Sequence, residues 1–155
     1  MSRAFVKEQD GSDAFEELPE RLISSHPNLV TEQGLAQIEA ELAHAEQAYA
    51  AAQVAADRSA LAAAGRDVRY WTQRRASAEL VAPPADKSEV RFGARVTIVR
   101  EDGRRQSYRI VGEDEADPAQ GTLSYVSPLA RALIGKGPGD TARIGPGEVE
   151  IVAID

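Results

Sequence analysis

From Thr31 onward the apolar positions fall into a helical rhythm. Leu35, Ile38, Leu42, Ala45, Tyr49 and Ala52 step by 3, 4, 3, 4, 3, a heptad seam on one face of a helix. Thr31 is placed to cap it, its hydroxyl accepting from a free backbone N–H, and Glu32 lies well against the helix dipole. A second segment repeats the rhythm with Leu61, Ala64, Val68 and Trp71, continuing through Arg75, the polar exception, to Ala78. Alanine favours helix in both segments, and Gly65 weakens the second by about 1 kcal/mol. Between them Asp57-Arg58-Ser59 marks a break, because Asp and Ser compete for local backbone hydrogen bonds. Val81-Ala82-Pro83-Pro84 ends the second helix, since a residue before proline is pushed out of helical space.

Beyond the prolines the period shortens to two. Arg95-Val96-Thr97-Ile98-Val99, Ser107-Tyr108-Arg109-Ile110-Val111 and residues 122–126, 141–144 and 148–154 read as strands. Glu101-Asp102-Gly103-Arg104 offers an Asp-Gly hairpin turn and Gly145-Pro146-Gly147 another turn. A short helix interrupts the strands: Ser127 suits its N-cap, Pro128 its first position and Gly135 its end, leaving residues 129–134 for about two turns. The expected fold is α+β: an N-terminal antiparallel α-helical coiled-coil hairpin at 29–81, a linker at 82–89 and a β-rich domain with one short helix at 90–155. Residues 1–28 read as an acidic, extended or disordered tail, with Glu8, Asp10, Asp13, Glu16, Glu17 and Glu20 against Arg3, Lys7 and Arg21. Phe5, Phe15, Leu18, Leu22 and Ile23 are available to pin parts of it to a surface.

Charge supports the pairing of the two helices. The first carries Glu32, Glu39, Glu41 and Glu46 and no Lys or Arg; the second carries Arg58, Arg66, Arg69, Arg74 and Arg75 against Asp67 and Glu79. Exposed pairs add little each, so the apolar seam must hold the hairpin. Hydrophobic residues make up 43% of the chain and aromatics 5%, so the core is built from Leu, Ile, Val and Ala. The absence of cysteine excludes disulfides and thiolate zinc and fits a cytoplasmic setting. No apolar run approaches the roughly 18 to 20 residues of a membrane helix, and Met1-Ser2-Arg3-Ala4-Phe5 opens no signal sequence. A net charge of −7 disfavours bare nucleic acid and favours a protein partner with a basic surface.

The C-terminal half then shows a specific likeness. Phe92-Gly93-Ala94, Ile110-Val111-Gly112-Glu113-Asp114-Glu115-Ala116-Asp117, Ser127-Pro128-Leu129-Ala130-Arg131-Ala132-Leu133-Ile134-Gly135-Lys136 and Gly139-Asp140 resemble the GreA/GreB C-terminal domain in order and spacing. Leu29-Val30-Thr31-Glu32-Gln33-Gly34 resembles the start of that family's coiled coil, and Ser2-Arg3-Ala4-Phe5-Val6-Lys7-Glu8 the N-terminus of some GreB-like members. The resemblance implies an FKBP-like C-terminal domain that docks at the rim of the RNA polymerase secondary channel, while the hairpin reaches toward the active centre. It implies an acidic tip, Asp-x-x-Glu-Asn-Ala-(Glu/Asp)-Tyr, that helps hold magnesium and promotes cleavage of backtracked RNA by the polymerase.

At that tip the sequence departs from the family. Asp57-Arg58-Ser59 matches the start, but Ala60 stands where the family has Glu and Leu61-Ala62-Ala63-Ala64 replaces the rest. Magnesium needs hard oxygen ligands, so a lone Asp57 beside Arg58 is a weak candidate and reads first as a turn or cap residue. No cofactor is expected, magnesium entering only with RNA polymerase. Each hairpin arm is also shorter than usual by roughly two turns, about 10 Å of reach, which resembles the Rnk-type relatives. The chain therefore reads as a monomeric factor that binds RNA polymerase, is not an enzyme in its own right, and stimulates cleavage weakly or not at all. The alternatives are a true cleavage factor acting through Asp57, a prolyl isomerase using the FKBP-like fold, and a structural dimer through the hairpin. The docking candidates are Ser127, Pro128, Arg131 and Leu133; the tip candidates are Asp57, Arg58 and Ser59. Glu113 to Asp117 lacks the glycine and terminal Glu of a calcium loop and reads as solvated. His26 and His44 lack metal-ligand spacing, Trp71 reads as seam packing, and Ser127 has no His or acid partner for nucleophilic chemistry.

Overall fold

The computed structural model describes residues 18–155. Readings that fall on residues 1–17, including the Phe5 and Phe15 anchors and the GreB-like N-terminus, lie outside them. The elements in order are β1 (Leu29–Val30), α1 (Glu32–Ala55), α2 (Arg58–Ser77), β2 (Glu79–Leu80), β3 (Arg95–Arg100), β4 (Arg105–Val111), a 3₁₀ turn (Pro118–Gln120), β5 (Thr122–Ser124), α3 (Pro128–Leu133), β6 (Thr141–Ile144) and β7 (Gly147–Ile154). The described residues divide into two units, 18–23 with 39–73, and 24–38 with 74–155.

In the first unit α1 and α2 run antiparallel, joined at Ala56-Asp57. The heptad positions are not buried evenly. Ala45, Ala52, Ala64 and Trp71 are buried, whereas Leu42, Leu61 and Val68 are half-buried and Tyr49 is exposed. Small side chains at the closest positions let the helices approach, and the larger residues flank the line. Gly65 belongs to this contact: a Cβ there would meet the Tyr49 ring at 3.5 Å. Arg75, expected on the seam, is exposed; Arg74 is buried instead, for reasons given below.

The second unit is built on a five-stranded sheet of order β5-β4-β3-β7-β6. All its pairings are antiparallel except β4 with β5. A register shift at Thr97/Ile98 bends β3 against β7. The strand alternation read from the sequence is the alternation of burial. Val96 and Ile98, Ile110, Leu123, Ala142, Val149, Ile151 and Ile154 face one core, which Ala130 and Leu133 of α3 complete. A second feature went unread. The second helix ends at Ser77, not at the prolines, and Glu79–Leu80 forms a parallel pair with Leu29–Val30. Residues 29–30 and 79–80 are therefore strands at the helix roots rather than part of the hairpin. Among the described residues no helix is long and apolar enough to cross a membrane.

Candidate functional site

Three places carry the candidate residues. The first is α3. Ser127 caps it, its Oγ accepting from the Ala130 N–H at 3.3 Å, and Pro128 occupies the first turn, where its missing N–H costs nothing. Gly135 follows with φ +87, and its N–H donates to the Val90 carbonyl, so the exit from the helix is fixed to the sheet domain. Pro128 and Arg131 are exposed and Ser127 is half-buried. Leu133 does not join them. It is fully buried in the core cluster, because the inward side of a two-turn helix is the side that anchors it. The apolar side chain that reaches the surface here is Ile134, 38% exposed.

The second is the hairpin tip. The Asp57 N–H donates to the Ala52 carbonyl and the Ala56 N–H to the Gln53 carbonyl, the paired bonds of a Schellman ending, with Ala56 left-handed at φ 50. Asp57 then caps α2, its Oδ1 accepting from the Ala60 N–H at 3.0 Å. One carboxylate oxygen is thus engaged in structure. Asp57, Arg58 and Ser59 are all exposed. Among the described residues no group of three or more His, Cys, Asp or Glu is placed to hold a metal ion. His26 and His44 are exposed, the latter lining a groove of about 260 Å³ with Glu41, Asp67 and Trp71.

The third is a charge clasp at the helix roots, which sequence reading missed. Arg74 is only 2% exposed. Its Nε donates to Asp114 at 2.6 Å and its guanidinium to Asn28 Oδ1 at 2.8 Å, while Asn28 Nδ2 donates back to the Arg74 carbonyl at 2.7 Å. Glu113 lies 4.0 Å away. Beside this network Thr31 Oγ1 accepts from the Gly34 N–H at 3.0 Å and donates to Glu115 at 2.6 Å. The acidic loop is therefore only partly solvated: Asp114 is 10% exposed and Glu115 bonds Thr31 at the root of α1, while Asp117 at its end is exposed. Two glycines make the close approach possible. A Cβ at Gly34 would lie 2.5 Å from the Glu115 carboxylate, and one at Gly112 would collide with the Leu29 carbonyl. Tyr125 completes the region by donating to the Pro27 carbonyl, and burial pushes its phenol above the ordinary range, with Glu113 adding to the effect. The signal available in the sequence was the opposition of Glu113-Asp114-Glu115 to a helix end rich in arginine.

Residues 85–155 match the family model described as Transcription elongation factor, GreA/GreB, C-term. The C-terminal part of the chain is thus similar to the C-terminal domain of the GreA/GreB factors. Its relatives include the transcription elongation factor GreB of Neisseria meningitidis serogroup B, 41% identical over 96 residues, which cover 58% of this chain and 59% of that one. The transcription elongation factor GreA of Hyphomonas neptunium is 60% identical over 58 residues, 37% of each chain. The matches thus span well under two thirds of these relatives' lengths. Among solved structures, GreA factor homolog 1 (Gfh1) of Thermus thermophilus aligns over 84% of this chain and 99% of its own, with TM-score 0.40 and 21% identity. At that score the superposition adds nothing to the likeness. The expectation that the chain stands apart from enzyme chemistry is corrected here. Its relatives are named transcription elongation factors GreA and GreB, and that likeness does not support setting the chain apart from catalysis.

Proposed function

We propose that this chain is a cytoplasmic, monomeric transcription elongation factor that binds RNA polymerase at its secondary channel. Its C-terminal domain, of FKBP-like character, docks at the channel rim and the α1/α2 hairpin enters the channel. The observation that supports this reading is the family match over 85–155, with the exposed Pro128 and Arg131 beside Ile134 on a rigidly capped α3. Cleavage stimulation is weak, because the tip offers one carboxylate, half of it committed to capping, where magnesium brought by the polymerase needs several oxygen ligands.

Binding to purified core RNA polymerase tests the docking. Wild type should bind, and Pro128→Ala and Arg131→Glu should each weaken binding about tenfold, the equivalent of roughly 1.4 kcal/mol. No binding of wild type at low salt overturns the assignment. Cleavage on a stalled elongation complex tests the tip. Asp57→Asn keeps an N-cap of similar strength and removes the charge. Weak shortening of the RNA that Asn abolishes assigns the residual activity to the carboxylate; robust shortening by wild type refutes the weak-cleavage reading.

A further inference from the structure

The solvent side of the five-stranded sheet is sorted by charge from strand to strand. Side chains of a strand alternate between its two faces, so the neighbours of the core positions point to solvent. On β4 these are Arg105, Ser107 and Arg109, and on β3 Arg95, Thr97 and Val99. The register sets Arg95 directly across from Arg109 and Thr97 across from Ser107. On β7 the outward positions Glu148 and Glu150 are exposed acids. The basic patch therefore covers β3 and β4 and ends at β7. It lies on the side of the sheet away from α3, whose Ala130 and Leu133 pack into the core.

Like charges placed directly opposite destabilise an antiparallel pair, yet two arginines stand so here. The ion pairs among the described residues include none of Arg95, Arg105 and Arg109. Arg109 donates to neutral acceptors, the Gln33 amide at 3.2 Å and the Gly93 carbonyl at 3.5 Å, which uses only part of its N–H set. Asp155 exchanges backbone hydrogen bonds with Arg95, but among the described residues no ion pair joins their side chains. Asp117, beyond β5, is committed to capping, its carboxylate accepting from the Ala119 N–H at 3.1 Å. Between the arginines the Thr97 and Ser107 hydroxyls bond each other at 2.8 Å, an arrangement that uses one hydrogen and leaves the other to donate outward.

A ligand for this surface is anionic and short. None of the outward residues on β3 and β4 is aromatic, so bases would find no stacking platform. A phosphate backbone long enough to cross the sheet would pass from the arginines onto Glu148 and Glu150. A pair of carboxylates stays within the patch, and a guanidinium binds a carboxylate through two parallel hydrogen bonds. Arg105 and Arg109 stand about 13 Å apart along β4, and Arg95 lies about 5 Å across from Arg109. We infer that the outer face of β3 and β4 is a second docking surface, on the opposite side of the sheet from α3, for a short acidic segment of a protein partner. Arg95 and Arg109 together hold one carboxylate, Arg105 holds another, and a hydroxyl of the Thr97–Ser107 pair donates between them. The facing arginines are a stability loss that this site explains. The inference does not rest on polymerase binding.

Fluorescein-labelled decaglutamate titrated with the full chain at low ionic strength tests this, because exposed charges are little screened there. Binding should saturate, and Arg105→Glu and Arg109→Glu should each weaken it about tenfold. Arg131→Glu on α3 makes the same change in net charge and should leave it unaltered. Arg95→Gln separates binding from folding. It should weaken the peptide yet raise the urea midpoint, because the facing arginines no longer repel. No saturable binding, equal weakening by Arg131→Glu, or an Arg95→Gln variant that binds as well as wild type or gains no stability each overturns the inference. An oligothymidylate of equal charge that binds more tightly than the peptide overturns it in favour of nucleic acid.

Discussion

Single residues set the tolerances of this molecule. Ala56 holds a left-handed backbone at φ 50 that favours glycine. Ala56→Gly should raise stability by about 1 kcal/mol, read as a higher urea midpoint at unchanged slope; a loss of stability would show that the tip conformation is not strained. Leu133 and Ile134 are neighbours with opposite fates. Leu133→Ala should cost about 2–5 kcal/mol because it empties a core site, whereas Ile134→Ala should leave thermal stability nearly unchanged and weaken only polymerase binding. Equal destabilisation by both would contradict their assignment to core and surface. Leu133 shows the reach of sequence reading. Its place in a short amphipathic helix was legible, but which side of two turns faces inward depends on the sheet beneath.

At the scale of elements, the clasp and the Glu20–Arg69 pair carry the charge. Removing Arg74 takes the buried guanidinium away from Asp114 and Glu113. Arg74→Met should destabilise by about 3–5 kcal/mol, measured by chemical denaturation, and the double replacement Arg74→Met with Asp114→Leu should recover much of it. If the single variant is as stable as wild type, the clasp is not holding the helix roots. That pair responds to acid. The Arg69 guanidinium holds the Glu20 carboxyl below its ordinary value of 4.5. A depressed carboxyl contributes stability above the ordinary value and loses it as pH falls through the folded value. The Glu20–Arg69 pair should therefore persist down to about pH 4.5 and loosen below it. Trp71, the one tryptophan of the chain, reports this, because Arg21 lies beside its ring. Its emission should shift below that pH, and Glu20→Gln should remove the transition.

For the whole molecule, the order of helices, linker and strands was written in the change of hydrophobic period from about 3.5 to 2 at the prolines. The caps at Thr31, Asp57 and Ser127 were equally local, since each needs only a side-chain oxygen and an N–H three residues on. The root strands at Leu29–Val30 and Glu79–Leu80 were not legible. Two-residue strands carry no period, and their pairing joins residues far apart in sequence.

The sequence by itself determined the long helices, the strands of the sheet, their caps and the likeness of the C-terminal part to GreA/GreB, because those depend on spacing and on side chains acting on nearby backbone. Only the tertiary structure decided which arginine is buried, what the acidic loop does and which leucine is hidden. Arg74 and Arg75 are adjacent on one helix with the same local propensity; what separates them is the position of Asp114 and Asn28, brought there by the fold. A carboxylate run looks solvated until a buried cation supplies the charge that makes its desolvation affordable.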